Sequence, residues 1–484
     1  MREDHQSSNA PYIVLFRADQ HSFCLDKHTN RIFLLSETEA KVVEQWQMGA
    51  RLDDLAPQYP KEVGEVRQLM NEGLFCSLMP RGLQYSSSWD EICHRILHER
   101  SQTILEITQS CNLRCKYCTF GGSFPGHRTH SSLSMSVDTA KRSVDSALGH
   151  SDATEKIVIG FYGGEPLLAF DTLQAAVLYA RKKTSQDIHF SITTNATLID
   201  KRIAQFLKEH EFSVLVSIDG PKRLHNLFRV LPSGVGSYDA AMNGLQILQD
   251  SYPADLHHKI SLNMVIPATE WTICLGELWD NEPWLSSGIR AQATPADIPA
   301  GLQLPVFEPK SAPNAARRLW LASLKKTEVP KTELLREYFE RSLIAFHQRR
   351  TFNGYRKTFP PNGCCIPGSR KVFIEAGGNY RICERAQGVP SIGNLGTGID
   401  LRTIKHIIGE YTRKSCEDCK SCSAISKCSL CFIHAYHCGV FSLGHKKQIC
   451  DYFRQKSLMD LQYYAILNLE HKELLEQWDQ VKLD

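Results

Sequence analysis

The sequence lacks any apolar run of the ~18 residues that crossing a bilayer demands. It also lacks a charge of one sign. Its 56 Lys and Arg stand against 53 Asp and Glu, for a net charge of +3. That balance leaves no electrostatic footprint for nucleic acid or a membrane surface, so neither is expected as a partner. The opening stretch MREDHQSSNAPY is polar and carries no signal peptide, so a cytoplasmic location is expected. There is no internal repeat and no low-complexity tract. Cysteine, by contrast, is abundant, with 17 in 484 residues. Without an export signal, and in so long a chain, this points to metal or cluster binding rather than disulfides. The length and the 42% hydrophobic content suffice for about two to four domains with several cores.

The cysteines are unevenly placed. Three fall in CNLRCKYC (111–118), ten lie between 364 and 450, and Cys24, Cys76, Cys93 and Cys274 are scattered singly. The four single ones read as small buried hydrophobes.

Around these fields the hydrophobic pattern changes along the chain. YIVLF, HSFCL and RIFLL (within 11–35) read as short strands separated by turn-like segments. Ser36-Glu37-Thr38-Glu39 has the capping-box pattern and opens a helix ending near Gly49. A second helix is expected over 61–73, so residues 1–80 form a small winged-helix-like module. Residues 81–101 read as a linker running into a helix. From 102 to 300, strand-like runs at 103–108, 156–162, 188–194, 213–219, 260–266 and 289–294 alternate with helical stretches. Alternation of this kind implies parallel βαβ units, here a partial six-stranded α/β barrel with its functional loops at the strand C-terminal ends. Residues 301–359 form a bridging region, with helices expected near 312–326 and 331–348. The Cys-rich segment 360–451 lacks long apolar runs and is expected to draw stability from bound metal. A C-terminal helix over 452–484 completes the chain. The two cysteine fields, far apart in sequence, are expected to fold as separate units.

Cys111, Cys115 and Cys118 directly follow the first barrel strand. Three thiolates do not close a tetrahedral zinc site, but they can hold three irons of a 4Fe–4S cluster and leave the fourth open for chemistry. Gly163-Gly164-Glu165-Pro166 ends the second strand, Thr193-Thr194-Asn195 the third, and Ser217-Ile218-Asp219-Gly220 the fourth, with Arg229 following. Each alone is an ordinary turn or a surface charge. Together, with Tyr117 before the last cysteine, they resemble the radical S-adenosylmethionine (SAM) signature. That resemblance implies that Cys111, Cys115 and Cys118 are catalytic cluster ligands. It implies that Tyr117, Gly163, Gly164, Glu165, Pro166, Thr194, Asn195, Ser217, Asp219 and Arg229 bind SAM. It further implies cleavage of SAM to a 5′-deoxyadenosyl radical that abstracts hydrogen from an unactivated carbon, with the cofactor carrying the hard chemistry. An external electron donor such as flavodoxin or ferredoxin is implied too.

The C-terminal field resembles the SPASM extension, which binds two auxiliary 4Fe–4S clusters. Gly378 stands five residues before Cys383, and Cys419-x2-Cys422-x5-Cys428 fits the pattern; Cys431 departs from it, following after two residues rather than three. The resemblance assigns Cys364 or Cys365, Cys383 and Cys431 to one cluster, whose fourth ligand is the other of the adjacent pair or an open site. It assigns Cys419, Cys422, Cys428 and Cys450 to the second. Cys416 and Cys438 are left over. Zinc is the alternative that Cys-x2-Cys spacing also permits.

Enzymes with this pair of domains modify peptides or proteins. The N-terminal module resembles the recognition element of maturases for ribosomally made peptides (RiPPs), which adds a precursor leader as an extra strand. RICERAQGVPSIGNL (381–395) resembles stretches of Cys-rich-peptide maturases. The expected function is therefore a radical SAM peptide maturase that installs a thioether, ether or carbon–carbon crosslink. The alternatives are a formylglycine-generating sulfatase-type maturase and a catalytically silent iron–sulfur binding protein.

Overall fold

The computed structural model describes residues 10–149, 156–267, 272–296, 302, 320, 331–361 and 363–481. The N-terminal strands β1 (Ile13–Ala18), β2 (His21–Asp26) and β3 (Ile32–Leu35) form an antiparallel sheet in that order. Period-two alternation gives this sheet two apolar faces. Ile13, Cys24 and Leu35 pack on the helices Glu37–Gln47 and Pro60–Asn71. The first helix is fixed by a complete capping box between Ser36 and Glu39. Phe16, Ala18, Phe23 and Leu25 on the other face join a second core with Phe339, Leu343, Leu461 and Tyr464 from the C-terminal half. The module is thus wedged against the rest of the chain.

The linker runs into a helix, as expected. It contains β4 (Gly82–Leu83) and a capped helix, Trp89–His98. The six barrel strands follow: β5 (Gln102–Thr108), β6 (Ile157–Gly163), β7 (Ile188–Thr194), β8 (Ser213–Ser217), β9 (Ile260–Ile266) and β10 (Arg290–Pro295). All are parallel, in the order β10-β9-β8-β7-β6-β5. The connecting helices cover the outside, as right-handed crossovers require. The expected helix near 312–326 lies outside the described residues except for Trp320; the next is Lys331–His347.

The expectation that the two cysteine fields fold as separate units is overturned. After β11 (Thr358–Phe359), which pairs with β4, the strand β12 (Lys371–Ile374) pairs parallel with β5, matching Lys371 to Gln102 and Ile374 to Leu105. β13 (Tyr380–Arg381) then pairs antiparallel with β12. The barrel sheet therefore has eight strands, and the edge of β5 is closed by the Cys-rich region. Val372, Phe373 and Ile374 are fully buried there. Full burial of such side chains contributes roughly 1.5–3 kcal/mol each, so the join is cohesive. One core runs from Leu105 and Ile107 through Ile374 to Tyr411 and Phe432. The expected boundary at 451/452 is corrected as well. A single helix spans Leu443–Glu470 and carries Cys450 inside it, followed by Lys472–Trp478.

Candidate active site

The loop after β5 brings its three cysteines together by short turns. The Cys118 N–H donates to the Cys115 carbonyl at 3.0 Å, and the Gly121 N–H to the Cys118 carbonyl at 2.9 Å. The loop is also tied to the segment carrying Arg229. The N–H groups of Arg114 and Lys116 donate to the carbonyls of Val230 (2.7 Å) and Phe228 (3.0 Å). Burial pushes Cys111 up to about 11 and Cys115 up to about 12, so iron must displace their protons to bind. His130 Nε2 lies 3.7 Å from Cys118 Sγ.

A cavity of about 710 Å³ opens beside this loop and runs inside the barrel. Its wall includes Cys111, Cys115, Tyr117, Cys118, Gly163, Gly164, Glu165, Thr194, Asn195, Ser217 and Arg229. The order of motifs at successive strand ends thus converges on one space. Pro166 and Asp219 are buried behind the wall.

Gly163 and Gly164 have a local reason to be glycine. A Cβ would meet the Thr108 carbonyl oxygen at 2.2 Å and the Ser110 carbonyl oxygen at 2.1 Å, respectively, and Gly163 has φ +147°. The Gly164 and Glu165 N–H groups donate to those same carbonyls. The turn is therefore sewn to the root of the cysteine loop.

The Glu165 carboxylate turns into the protein, while the residue still borders the cavity. It is 1% exposed, and its carboxylate accepts from the Asn195 N–H (2.7 Å), the Thr194 hydroxyl (2.7 Å) and the Leu167 N–H (3.1 Å). It staples the end of β6 to the end of β7. Burial raises its carboxyl to about 7 against those three donors. Asn195 in turn donates to Asn112 at 2.9 Å, and Asn112 donates to Thr197 at 2.8 Å. Sequence reasoning missed Asn112, although it directly follows the first cysteine.

A second buried network lies under Cys115. The Asp219 carboxylate receives the Tyr117 hydroxyl and the Val265 N–H (2.9 Å), and pairs with Arg229 Nε at 2.9 Å. Behind it, the Asp219 N–H points to His225 Nδ1 at 3.4 Å. His225 Nε2 lies 3.0 Å from the Ser237 hydroxyl, which donates to the Arg229 carbonyl at 2.9 Å. Burial, helped by the Arg229 charge, lowers His225 well below the ordinary histidine range. Neutral His225 with its proton on Nε2 satisfies every partner. Tyr117, Asp219 and Arg229, all expected to bind the cofactor, are linked to one another in one network.

Glu106 on β5 was also missed. It is fully buried, pairs with Arg128 from the loop beyond Cys118, and accepts from the Ala376 N–H at 3.0 Å. It joins the first cysteine loop to the turn after β12. Lys371 and Glu384 form an ion pair at 2.9 Å on the cavity wall, beside Arg385.

In the C-terminal field the described cysteines form two groups. Buried Cys364 lies against the Leu430 carbonyl at 3.4 Å, and its thiol bond is the main cause holding Cys431 down to about 6. Burial pushes Cys383 up to about 12, with Glu384 and, to a lesser degree, Cys431 adding to it. Cys365 is exposed. The second group gathers around Lys446, whose ammonium reaches Cys419 Sγ at 3.3 Å and Cys450 Sγ at 4.0 Å. Burial pushes Cys428 up to about 11, with Cys422, Cys419 and Cys450 adding to the effect. The donor set is all sulfur, which suits a wide iron–sulfur cluster by its chemistry; among the described residues no three such groups stand close enough to hold a single metal ion. A buried ammonium whose polar contacts are thiol sulfurs fits an anionic thiolate centre in this group. Of the leftover pair, Cys438 is exposed, and its sulfur packs against Gly126.

Residues 105–271 match the Radical SAM superfamily. This segment, about a third of the chain, is similar to radical SAM domains, whose family uses a 4Fe–4S cluster and SAM. An uncharacterized protein of Methanocaldococcus jannaschii, MJ0907, is 35% identical over 147 residues, covering 30% of this chain and 48% of that protein. A cysteine-type anaerobic sulfatase-maturating enzyme of Clostridium novyi is 30% identical over 151 residues, covering 31% of this chain and 40% of that enzyme. The chain thus spans less than half the length of these relatives. The solved structure of native anSMEcpe with bound AdoMet superposes with a TM-score of 0.54 at 18% identity, over 78% of this chain and all of that one. The same protein with AdoMet and the Kp18Cys peptide gives 0.53 at 18% identity, over 76% and 98%. This likeness is one of fold. No helix among the described residues is long and apolar enough to cross a membrane.

Proposed function

We propose that the protein is a radical SAM peptide maturase that removes hydrogen from a residue of a ribosomally made precursor and installs an oxidative crosslink: thioether, ether or carbon–carbon. The observation that carries this reading is a reactive cavity joined to a module with a free strand edge. Among the described residues β3 pairs only with β2, and its Leu34 is 51% exposed. A leader peptide added there gains main-chain hydrogen bonds and a few side-chain pockets. Affinity in the micromolar range, on the order of −8 kcal/mol, suits so small an interface.

Cys111, Cys115 and Cys118 would hold the cluster, and Cys364, Cys383 and Cys431, with Cys419, Cys422, Cys428 and Cys450, two auxiliary ones. Cys364 rather than exposed Cys365 fills the first auxiliary position. Cluster and SAM together supply reductive cleavage of the sulfonium and a primary carbon radical. The protein's own residues do the positioning. Glu165 holds the Thr194–Asn195 strand end against the turn at Gly163. Asp219 holds Arg229 and Tyr117 beneath the cysteine loop. Lys371, Glu384 and Arg385 give the cavity wall polar groups for an incoming peptide backbone. Electrons would come from a carrier such as flavodoxin or ferredoxin.

The test is co-expression with a short peptide encoded beside the gene. Mass spectrometry is expected to show loss of two hydrogens per crosslink. The kinship with a cysteine-type sulfatase-maturating enzyme favours a second reading, oxidation of a cysteine or serine to formylglycine. That product is an aldehyde that a hydrazide captures, and its appearance in place of a crosslink would replace the first reading.

A further inference from the structure

The helix Leu443–Glu470 carries Lys446 one turn ahead of Cys450, so both project from the same face. Lys446 is 1% exposed. Its ammonium lies 3.3 Å from Cys419 Sγ, 4.0 Å from Cys450 Sγ and 5.6 Å from the centroid of the Tyr411 ring. Among the described residues it forms no ion pair with a carboxylate. Other cations also stand near the cysteine groups: Arg454 pairs with Asp451 and reaches Cys422, Lys27 acts on Cys422, Lys371 pairs with Glu384, and Arg385 acts on Cys431. An ammonium withdrawn from water is costly unless negative charge and hydrogen-bond acceptors meet it. Here only the sulfurs can supply both. Each electron added to a cluster on those sulfurs adds negative charge beside a fixed positive one, in a medium that screens poorly. Hydrogen bonds to cluster sulfurs and local net charge are levers that set the potential.

We propose that Lys446 is a redox-tuning residue, which raises the reduction potential of the centre held by Cys419, Cys422, Cys428 and Cys450. This rests on the reading of that group as a 4Fe–4S site. The couple takes one electron. Lys446 acts through the ligands and touches no substrate.

The test is an EPR-monitored redox titration of the full chain, reconstituted anaerobically, in a Cys115→Ala background that silences the first cluster. Lys446→Met is expected to cut the reduced fraction of this centre at a fixed poise about tenfold, equivalent to about 59 mV for one electron. Lys446→Arg, which keeps the charge, is expected to titrate close to the unmodified protein. A Met variant with full iron and an unchanged potential refutes the proposal. An Arg variant that follows the Met variant removes the charge as the cause and also refutes it. Loss of this centre's iron in both variants makes Lys446 a structural residue, which overturns the tuning role. Zinc and no iron at this site in the protein with Lys446 intact refutes the cluster reading itself, a failure visible before any variant is compared.

Discussion

Removing the Glu165 carboxylate tests whether the strand-end motif positions or contacts. In Glu165→Ala, the N–H groups of Leu167 and Asn195 and the Thr194 hydroxyl lose their acceptor in a buried place. At about 1 kcal/mol or more per stranded donor, the loss is roughly 3 kcal/mol, before any cavity term. Because the damage falls on the fold, it must appear without SAM. The assay is urea unfolding of cluster-loaded, SAM-free protein, beside calorimetric SAM binding. The expected result is a lowered midpoint together with SAM binding at least tenfold weaker. An unchanged midpoint with lost SAM binding would mean that Glu165 touches the cofactor directly, and the staple argument would fail. The pH dependence gives a second reading. Glu165 sits at about 7 in the fold and at its ordinary 4.5 when unfolded. Between those values the native state holds the extra proton, so stability declines as pH rises through the window. From about pH 6 to pH 8 the loss attributable to this group is on the order of 1 kcal/mol, and it vanishes in the alanine variant.

Other outcomes follow from the same geometry. Asp219→Ala strands the buried Arg229 charge and is expected to cost about 3–5 kcal/mol, read in the same unfolding assay. Cys364→Ser is expected to lose about four irons per chain by metal analysis, whereas Cys365→Ser keeps them, and the reverse outcome would reassign the ligand. Leu34→Asp on the exposed edge of β3 is expected to weaken precursor binding about tenfold while SAM cleavage persists. Deleting residues 1–80 would be a poorer perturbation, because Phe16 and Phe23 are part of a core shared with the C-terminal helices. Unchanged precursor binding in the Leu34 variant would make the module a cap.

The barrel and its site were legible because parallel βαβ repetition places one loop after each strand, so motif order in the sequence is spatial order around the cavity. Periodicity likewise revealed the N-terminal sheet and its capped helix. What stayed hidden was non-local. Pairing of Lys371 with Gln102 leaves no trace in either segment's local pattern, so the second cysteine field looked independent. Cys364 and Cys365 are chain neighbours whose exposures differ, and adjacency says nothing of which faces inward. Lys446 stood four residues before Cys450 in plain view, but a lysine in a helix reads as solvated until its burial is known. Glu165 was found, yet the direction of its carboxylate depends on a neighbouring strand.

Reductive SAM cleavage is expected to depend on the Cys111–Cys118 loop. The most direct measurement is 5′-deoxyadenosine formed during anaerobic incubation of the reconstituted protein with SAM and dithionite, beside Cys115→Ala. Steady formation is expected from the unmodified protein and none from the variant, with the C-terminal iron of the variant largely retained. No 5′-deoxyadenosine from the unmodified, iron-loaded protein would support a catalytically silent iron–sulfur protein, and equal yields from both would remove the loop from the chemistry.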